Sequence, residues 1–236
     1  MAASATTISS ELRALASPGT AAVLQRFFKT GPGQYGEDDA FLGIKVPPLR
    51  MLAKQHVDAD LSTIAILLNS RYHEERLFAL LLLMLFYQRG SEAEQAAAYR
   101  LYIDNTSHIN NWDLVDISAP HIVGHHLQER PRKILYKLAR SPVLWERRIA
   151  IISTLHFIRL NDFGDTLRIA GTLLQDEHDL MHKAAGWMLR EVGKRNLAAE
   201  EDFLKQHYRS MPRTMLRYAI ERFPEPKRKA YLHGDV

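Results

Sequence analysis

Four short blocks of this chain recur at one spacing, and that spacing restricts the fold more than any other feature. Glu74-Glu75-Arg76-Leu77-Phe78-Ala79, Asn110-Asn111-Trp112-Asp113-Leu114-Val115, Glu146-Arg147-Arg148-Ile149-Ala150-Ile151 and His182-Lys183-Ala184-Ala185-Gly186-Trp187 begin 36 residues apart each time. Each opens an amphipathic segment with apolar residues at helical spacing, and no stretch of convincing two-residue alternation occurs anywhere. A period of this length in two-helix units marks an α-solenoid, whose units bury their apolar faces only by stacking on neighbours. The fold expected is therefore all-α, with equivalent positions of successive units lining one concave wall. The third position of each block, Arg76, Trp112, Arg148 and Ala184, samples that wall.

Breaks between helices are punctuated as helices require. Ser91 with Glu94 three residues on predicts a capping box, and Ser141-Pro142 predicts a start where proline's missing amide costs nothing. Expected helices cover about residues 8–16, 19–30, 47–57, 60–69, 72–88, 91–105, 112–127, 131–140, 143–159, 163–175, 179–195, 199–209 and 213–223. The segment Gly31 to Asp39 (GPGQYGEDD) reads as a loop. It would part a helical pair in residues 1–30 from a repeat array in residues 40–236 within one domain spanning 1–236.

A hydrophobic content of 46% supplies an ample core for a chain of this length, expected to fold as a monomer. The absence of cysteine excludes disulfides, thiolate metal sites and a cysteine nucleophile, and fits a reducing compartment. Met1 to Ser10 lacks the basic head and apolar centre of a secretory signal, so a cytoplasmic protein is expected. The apolar run Phe78 to Tyr87 is half the roughly 20 residues of a membrane span, so it predicts a core helix and no membrane partner.

Charge is distributed unevenly. Residues 1–129 carry 10 Lys and Arg against 14 Asp and Glu, while residues 130–236 carry 21 against 13. A basic half points to an anionic partner, although exposed lysines on ordinary helices produce the same count. More specific is the pair Trp112 and Asp116, four apart and so on one helix face. Arg148 occupies Trp112's equivalent place in the next unit, and Trp187 lies one turn beyond the equivalent place in the unit after that. A lone tryptophan is ordinarily core and a lone Asp near a helix start ordinarily serves the dipole. Together, a carboxylate and two indoles make poor core, because an unpaired buried charge costs several kcal/mol.

These residues resemble the AlkD-type DNA alkylation repair glycosylases, which are built of HEAT-like repeats. Asn111-Trp112-Asp113-Leu114-Val115-Asp116 is similar to that family's W-D-x-V-D signature, and Trp145 to Ile151 to its W-x-x-R-x-A-I segment. Gly186-Trp187-Met188-Leu189-Arg190-Glu191 is similar to its G-W-x-L-R-E, and Phe41-Leu42-Gly43-Ile44 with Pro47 to its F-L-G-I-x-x-P entry. The resemblance implies an α-solenoid of HEAT-like two-helix repeats with a concave DNA-binding groove. It implies a catalytic cleft of Trp112, Asp116 and Trp187, with Arg148 on the DNA backbone and Lys45, Arg190 and Lys194 at further DNA contacts. Members carry a tyrosine after an arginine on the N-terminal helix. Here Arg26 precedes Phe27, which preserves the ring and loses the hydroxyl.

The reaction so implied is hydrolysis of the N-glycosidic bond of N3-alkyladenine or N7-alkylguanine in duplex DNA, without base flipping. A cationic base is already a good leaving group. As its bond lengthens, positive charge moves onto the sugar, where fixed negative charge has the largest effect on rate. Asp116, with an ordinary carboxyl pKa near ~3.9, would be ionised to stabilise that cation and orient water. Indole faces add cation–π attraction of about 0.5–2 kcal/mol. No cofactor or metal is implied. His121 with His125 and His126, and His178 with His182, have zinc-capable spacing but lack the H-E-x-x-H glutamate and read as solvated. Lys227-Arg228-Lys229 fits a contact to DNA phosphate and a frayed, solvated tail equally well. The rival reading is a helical-repeat scaffold that binds protein or nucleic acid and catalyses nothing.

Overall fold

In a computed structural model of the protein residues 3–236 are described, and they form an all-α, helical-repeat fold. Among them the sole extended pairing is an isolated parallel bridge between Ala40 and Tyr72, and no helix is long and apolar enough to cross a membrane. Two compact units are present, one ending at Ser118 and one beginning at Ala119.

The first unit contains α1 (Ala5–Ala14), α2 (Pro18–Phe27), α3 (Val46–Gln55), α4 (Leu61–Leu68), α5 (His73–Arg89), α6 (Glu92–Asp104) and all but the last residue of α7 (Trp112–Ala119). Helix α5 is its spine: every residue from Leu77 to Leu83 is buried, with α3, α4 and α6 packed around it. Each leucine so enclosed contributes roughly 1.5–3 kcal/mol, which is why the Phe78 to Tyr87 run makes a core helix. Side chains of Ser4, Ser17, Asp60 and Ser91 accept the first free amides of α1, α2, α4 and α6. The last of these closes the expected capping box, with Glu94 Oε2 2.7 Å from the Ser91 amide.

The second unit contains a π-helical turn (Pro120–Gly124), α8 (Lys133–Leu138), α9 (Leu144–Ser153), α10 (Leu155–Arg159), α11 (Gly164–Thr172), α12 (Asp179–Arg195), α13 (Leu197–His207), α14 (Arg213–Ala219) and α15 (Glu225–His233). Its centre is α12, against which α9, α13 and α14 pack. Gly186 permits the approach of α14, because a Cβ there would lie 2.4 Å from the Met215 carbonyl oxygen.

The four blocks fall at the starts of α5, α7, α9 and α12, so the period did mark helix openings. Local chemistry modifies the rest. The helix expected over 112–127 becomes α7 and the π turn. The one expected over 143–159 starts at Leu144, after Ser141 Oγ accepts the Val143 amide at 3.0 Å. It then divides at Thr154, whose hydroxyl donates to the Ile151 carbonyl at 2.7 Å and competes with the helix ladder. The basic tail expected at Lys227–Lys229 is part of α15. Tyr231 anchors that helix, fully buried and edge-on to Tyr208 and Phe223 at 5.4 and 5.7 Å. The third block position does not mark an exposed wall: Arg76, Arg148 and Ala184 are buried, and Trp112 is half-buried.

Candidate active site

The F-L-G-I loop is shaped by one carboxylate. Glu74, on the first turn of α5, accepts from the amides of Leu42, Gly43 and Ile44 at 2.9, 2.7 and 3.2 Å. Three amides on a buried carboxylate satisfy charge and loop backbone together. Gly43 is required at the bend, with φ +83° and a hypothetical Cβ 2.1 Å from the Ser17 carbonyl oxygen. The clamp fixes Phe41 and Ile44 and delivers Lys45, exposed, to the start of α3.

Between this loop, α2, α5 and α7 lies a cleft of about 620 Å³ whose walls include Phe27, Phe28, Phe41, Lys45, Trp112 and Asp116. Trp112 and Asp116 are thus brought together, and Phe27, 60% exposed, stands at the same cleft. The rings are mutually packed. Phe28 stacks on Trp112 at 5.4 Å and on Phe41 at 5.2 Å, while Phe27 meets Trp112 edge-on at 6.0 Å. Asp116 is half-buried, so its carboxylate lies at the aromatic wall without being sealed from water.

Beneath the rings is a charged network that the sequence reading missed. His73 is buried between Phe28 and Phe41, with Nε2 2.8 Å from Asp113 Oδ2 and Nδ1 3.4 Å from Asp39 Oδ2. Asp39 also accepts from Arg76 Nη2 at 2.6 Å, Asn110 Nδ2 at 3.2 Å and Asn111 Nδ2 at 3.3 Å. Burial by itself pulls the imidazole pKa down, but the Asp113 carboxylate and the hydrogen bonds that His73 donates to Asp113 and Asp39 outweigh it and raise it to about 9. His73 is therefore an imidazolium at neutral pH. Burial likewise pushes the Asp39 carboxyl up, and the His73 hydrogen bond with the Arg76 charge reverses this to leave it below the usual carboxylate range. Asn111 Oδ1 meanwhile accepts the Trp112 amide at 2.9 Å. The network thus holds the first turn of α7, which carries Trp112 and Asp116.

In the second unit Trp187 is half-buried on α12, its Nε1 donating to Glu191 Oε1 at 3.0 Å, and Lys194 Nζ shares that oxygen at 2.6 Å. Arg190 is ion-paired with Glu221. Arg148, expected on DNA backbone, is 5% exposed and donates from Nη1 to the Leu180 carbonyl at 2.7 Å, tying α9 to the first turn of α12. The zinc-spaced histidines have other work. His178 Nδ1 caps α12 by accepting the Leu180 amide, and His182 Nε2 donates to the Asp176 carbonyl.

Fold and site together define a class: an all-α helical-repeat protein with a carboxylate set in an aromatic cleft. Within that class the chain belongs to the DNA alkylation repair enzyme family, whose model matches residues 8–223. A predicted DNA alkylation repair enzyme from Enterococcus faecalis has a similar solved structure, with a TM-score of 0.68 over 89% of this chain and 97% of that chain at 19% identity. Similarity at that identity concerns the fold. No curated protein matches the chain.

Proposed function

We propose that this protein is a DNA glycosylase that removes cationic alkylated bases, N3-alkyladenine and N7-alkylguanine, from duplex DNA. The observation that carries the reading is the half-buried carboxylate of Asp116 in one cleft with Trp112, Phe27 and Phe28. Aromatic faces attract a cation, and a fixed carboxylate stabilises the charge that develops on deoxyribose as the glycosidic bond breaks. The bonding pair leaves with the base, which departs neutral. Water oriented by Asp116 adds to C1′ and gives up its proton to the carboxylate or to solvent. No cofactor enters this scheme.

On this reading Lys45 contacts backbone phosphate and Phe27 packs on the sugar in the first unit, while Arg190 and Lys194 contact backbone phosphate and Trp187 offers its indole to the lesion in the second. Arg148 serves by holding α12 in place. The duplex is gripped by its backbone, with the damaged base kept in the stack, which favours lesions that are already good leaving groups. A scaffold would have no use for the carboxylate. The test is release of N7-methylguanine from duplex DNA by the wild type and by Asp116→Asn, with duplex affinity measured beside it. Release by the wild type, lost in the variant with affinity retained, is expected. Equal release by both would remove Asp116 from the mechanism, and neither release nor affinity in the wild type would favour the scaffold.

A further inference from the structure

Helix α14 lies alongside the face of α12 that carries Trp187. Near the start of α12 the Thr214 hydroxyl bonds the Asp179 carboxylate. Midway, Gly186 lets the helices meet, since a Cβ there would also lie 2.6 Å from Tyr218 Cβ. Further on, Arg190 pairs with Glu221 in the turn that follows α14. Asp179, Lys183, Trp187, Arg190 and Lys194 recur at three or four residues and so share this face. Its cations are already matched: Lys183 lies 2.7 Å from Asp179, Lys194 lies 2.6 Å from Glu191, and Arg190 has Glu221. Each must give up a carboxylate before it can bind another anion.

The cations of α14 differ. Arg213 and Arg217 are its first and fifth residues, both exposed and one helical turn apart. Neither makes an ion pair or hydrogen bond among the described residues. Glu221, four residues beyond Arg217, is spent on Arg190. Like charges at this spacing weaken a helix, so the pair gives the fold nothing that would account for it. We propose that Arg213 and Arg217 take backbone phosphates of duplex DNA, widening the contact face of Trp187. This rests on the DNA-binding part of the reading above and not on base release. A guanidinium with no carboxylate partner offers its whole fork of donors to phosphate oxygens. It also gains the full counterion release of the contact, whereas Arg190 and Lys194 first lose the pairs they already have. The unmatched arginines of α14 therefore carry more of the salt-dependent affinity than the matched cations of α12.

Fluorescence anisotropy of an undamaged duplex, titrated with full-length protein across a salt series, tests this. Each phosphate contact adds about 0.9 to the log–log salt slope, so Arg217→Gln should weaken binding roughly eightfold near 0.1 M salt. Arg213→Gln/Arg217→Gln should weaken it roughly sixtyfold and lower the slope by about 1.8. The thermal midpoint of the double variant, followed by circular dichroism, should match or exceed that of the wild type, because a like-charged pair is gone. Lys205→Gln, on α13 with Asp202 3.6 Å away, is the control for net charge. A double variant that keeps the wild-type slope, or loses no more than the control, overturns the site. So does a loss of affinity that comes with a lowered midpoint, which would make the pair structural. In the wild type, bound duplex should shield both arginines from phenylglyoxal, and unchanged labelling overturns the site however the variants fold. A wild type without duplex affinity overturns both this site and the DNA reading. Binding that needs the pair, with no base released, would sink only the glycosylase.

Discussion

Raising the pH should unlock the network beneath the cleft. His73 has a folded-state pKa of about 9 against an ordinary 6.5, so its charged form is the one the fold prefers. That preference stabilises the first unit fully below pH 6.5 and is lost as pH rises through about 9. At 1.36 kcal/mol per pH unit, the gap corresponds to about 3 kcal/mol, of which roughly half is gone by pH 8. Asp39 is held below the usual carboxylate range, so across this range the slope belongs to the imidazole. Trp112 is the first unit's sole tryptophan. In a Trp145→Phe/Trp187→Phe background its fluorescence reports urea unfolding of that unit alone. Midpoints should fall steadily from pH 6.5 to 9 in that background and stay nearly flat once His73→Gln is added. Equal slopes with and without the histidine would refute the assignment of a buried imidazolium, and with it the claim that the network pins the first turn of α7.

Gly43→Ala places a side chain at φ +83° and against the Ser17 carbonyl, so it should destabilise the first unit by about 1–3 kcal/mol in the same fluorescence assay. Phe27→Tyr restores the hydroxyl at a ring 60% exposed. It should tighten duplex binding by about 0.5–1.5 kcal/mol, roughly 2- to 13-fold by anisotropy, with the thermal midpoint unchanged. Glu200 is buried, and burial with the neighbouring Glu201 charge pushes its carboxyl up to about 8 from 4.5. Its penalty sets in above pH 4.5 and is complete above about 8. Glu200→Gln should therefore stabilise the second unit at pH 7 by up to about 3 kcal/mol, read from Trp145 and Trp187 fluorescence, and should change nothing at pH 4.

What could be read in advance was local. A 36-residue period and helical spacing located the openings of α5, α7, α9 and α12, and four-residue spacing put Trp112 and Asp116 on one face. The Asp39–His73–Asp113 network was invisible to that logic because its members are 34 and 40 residues apart, and Asp39 closes a glycine-rich loop whose acids look solvated. For the same reason Arg76 looked like a wall residue: periodicity describes where a side chain points, and only the loop's carboxylate makes it tolerable for an arginine to point inward. Helix α15 was hidden for the opposite reason, since Tyr231 alone carries its docking among prolines and charges.

The buried network bears on function. A buried ion pair is costly unless each partner is held by further hydrogen bonds, and replacing it with apolar residues is often neutral or stabilising. Its retention directly under Phe28, Phe41 and Trp112 is explained if the cleft needs a rigid floor more than the fold needs stability. Side chains that must meet developing charge in the transition state gain from being fixed beforehand, since reorganisation during the reaction would cost part of the electrostatic benefit. An apolar floor could fill the same volume. It could not bind the Asn110–Asn111 amides, and through Asn111 the Trp112 amide, that set where α7 begins.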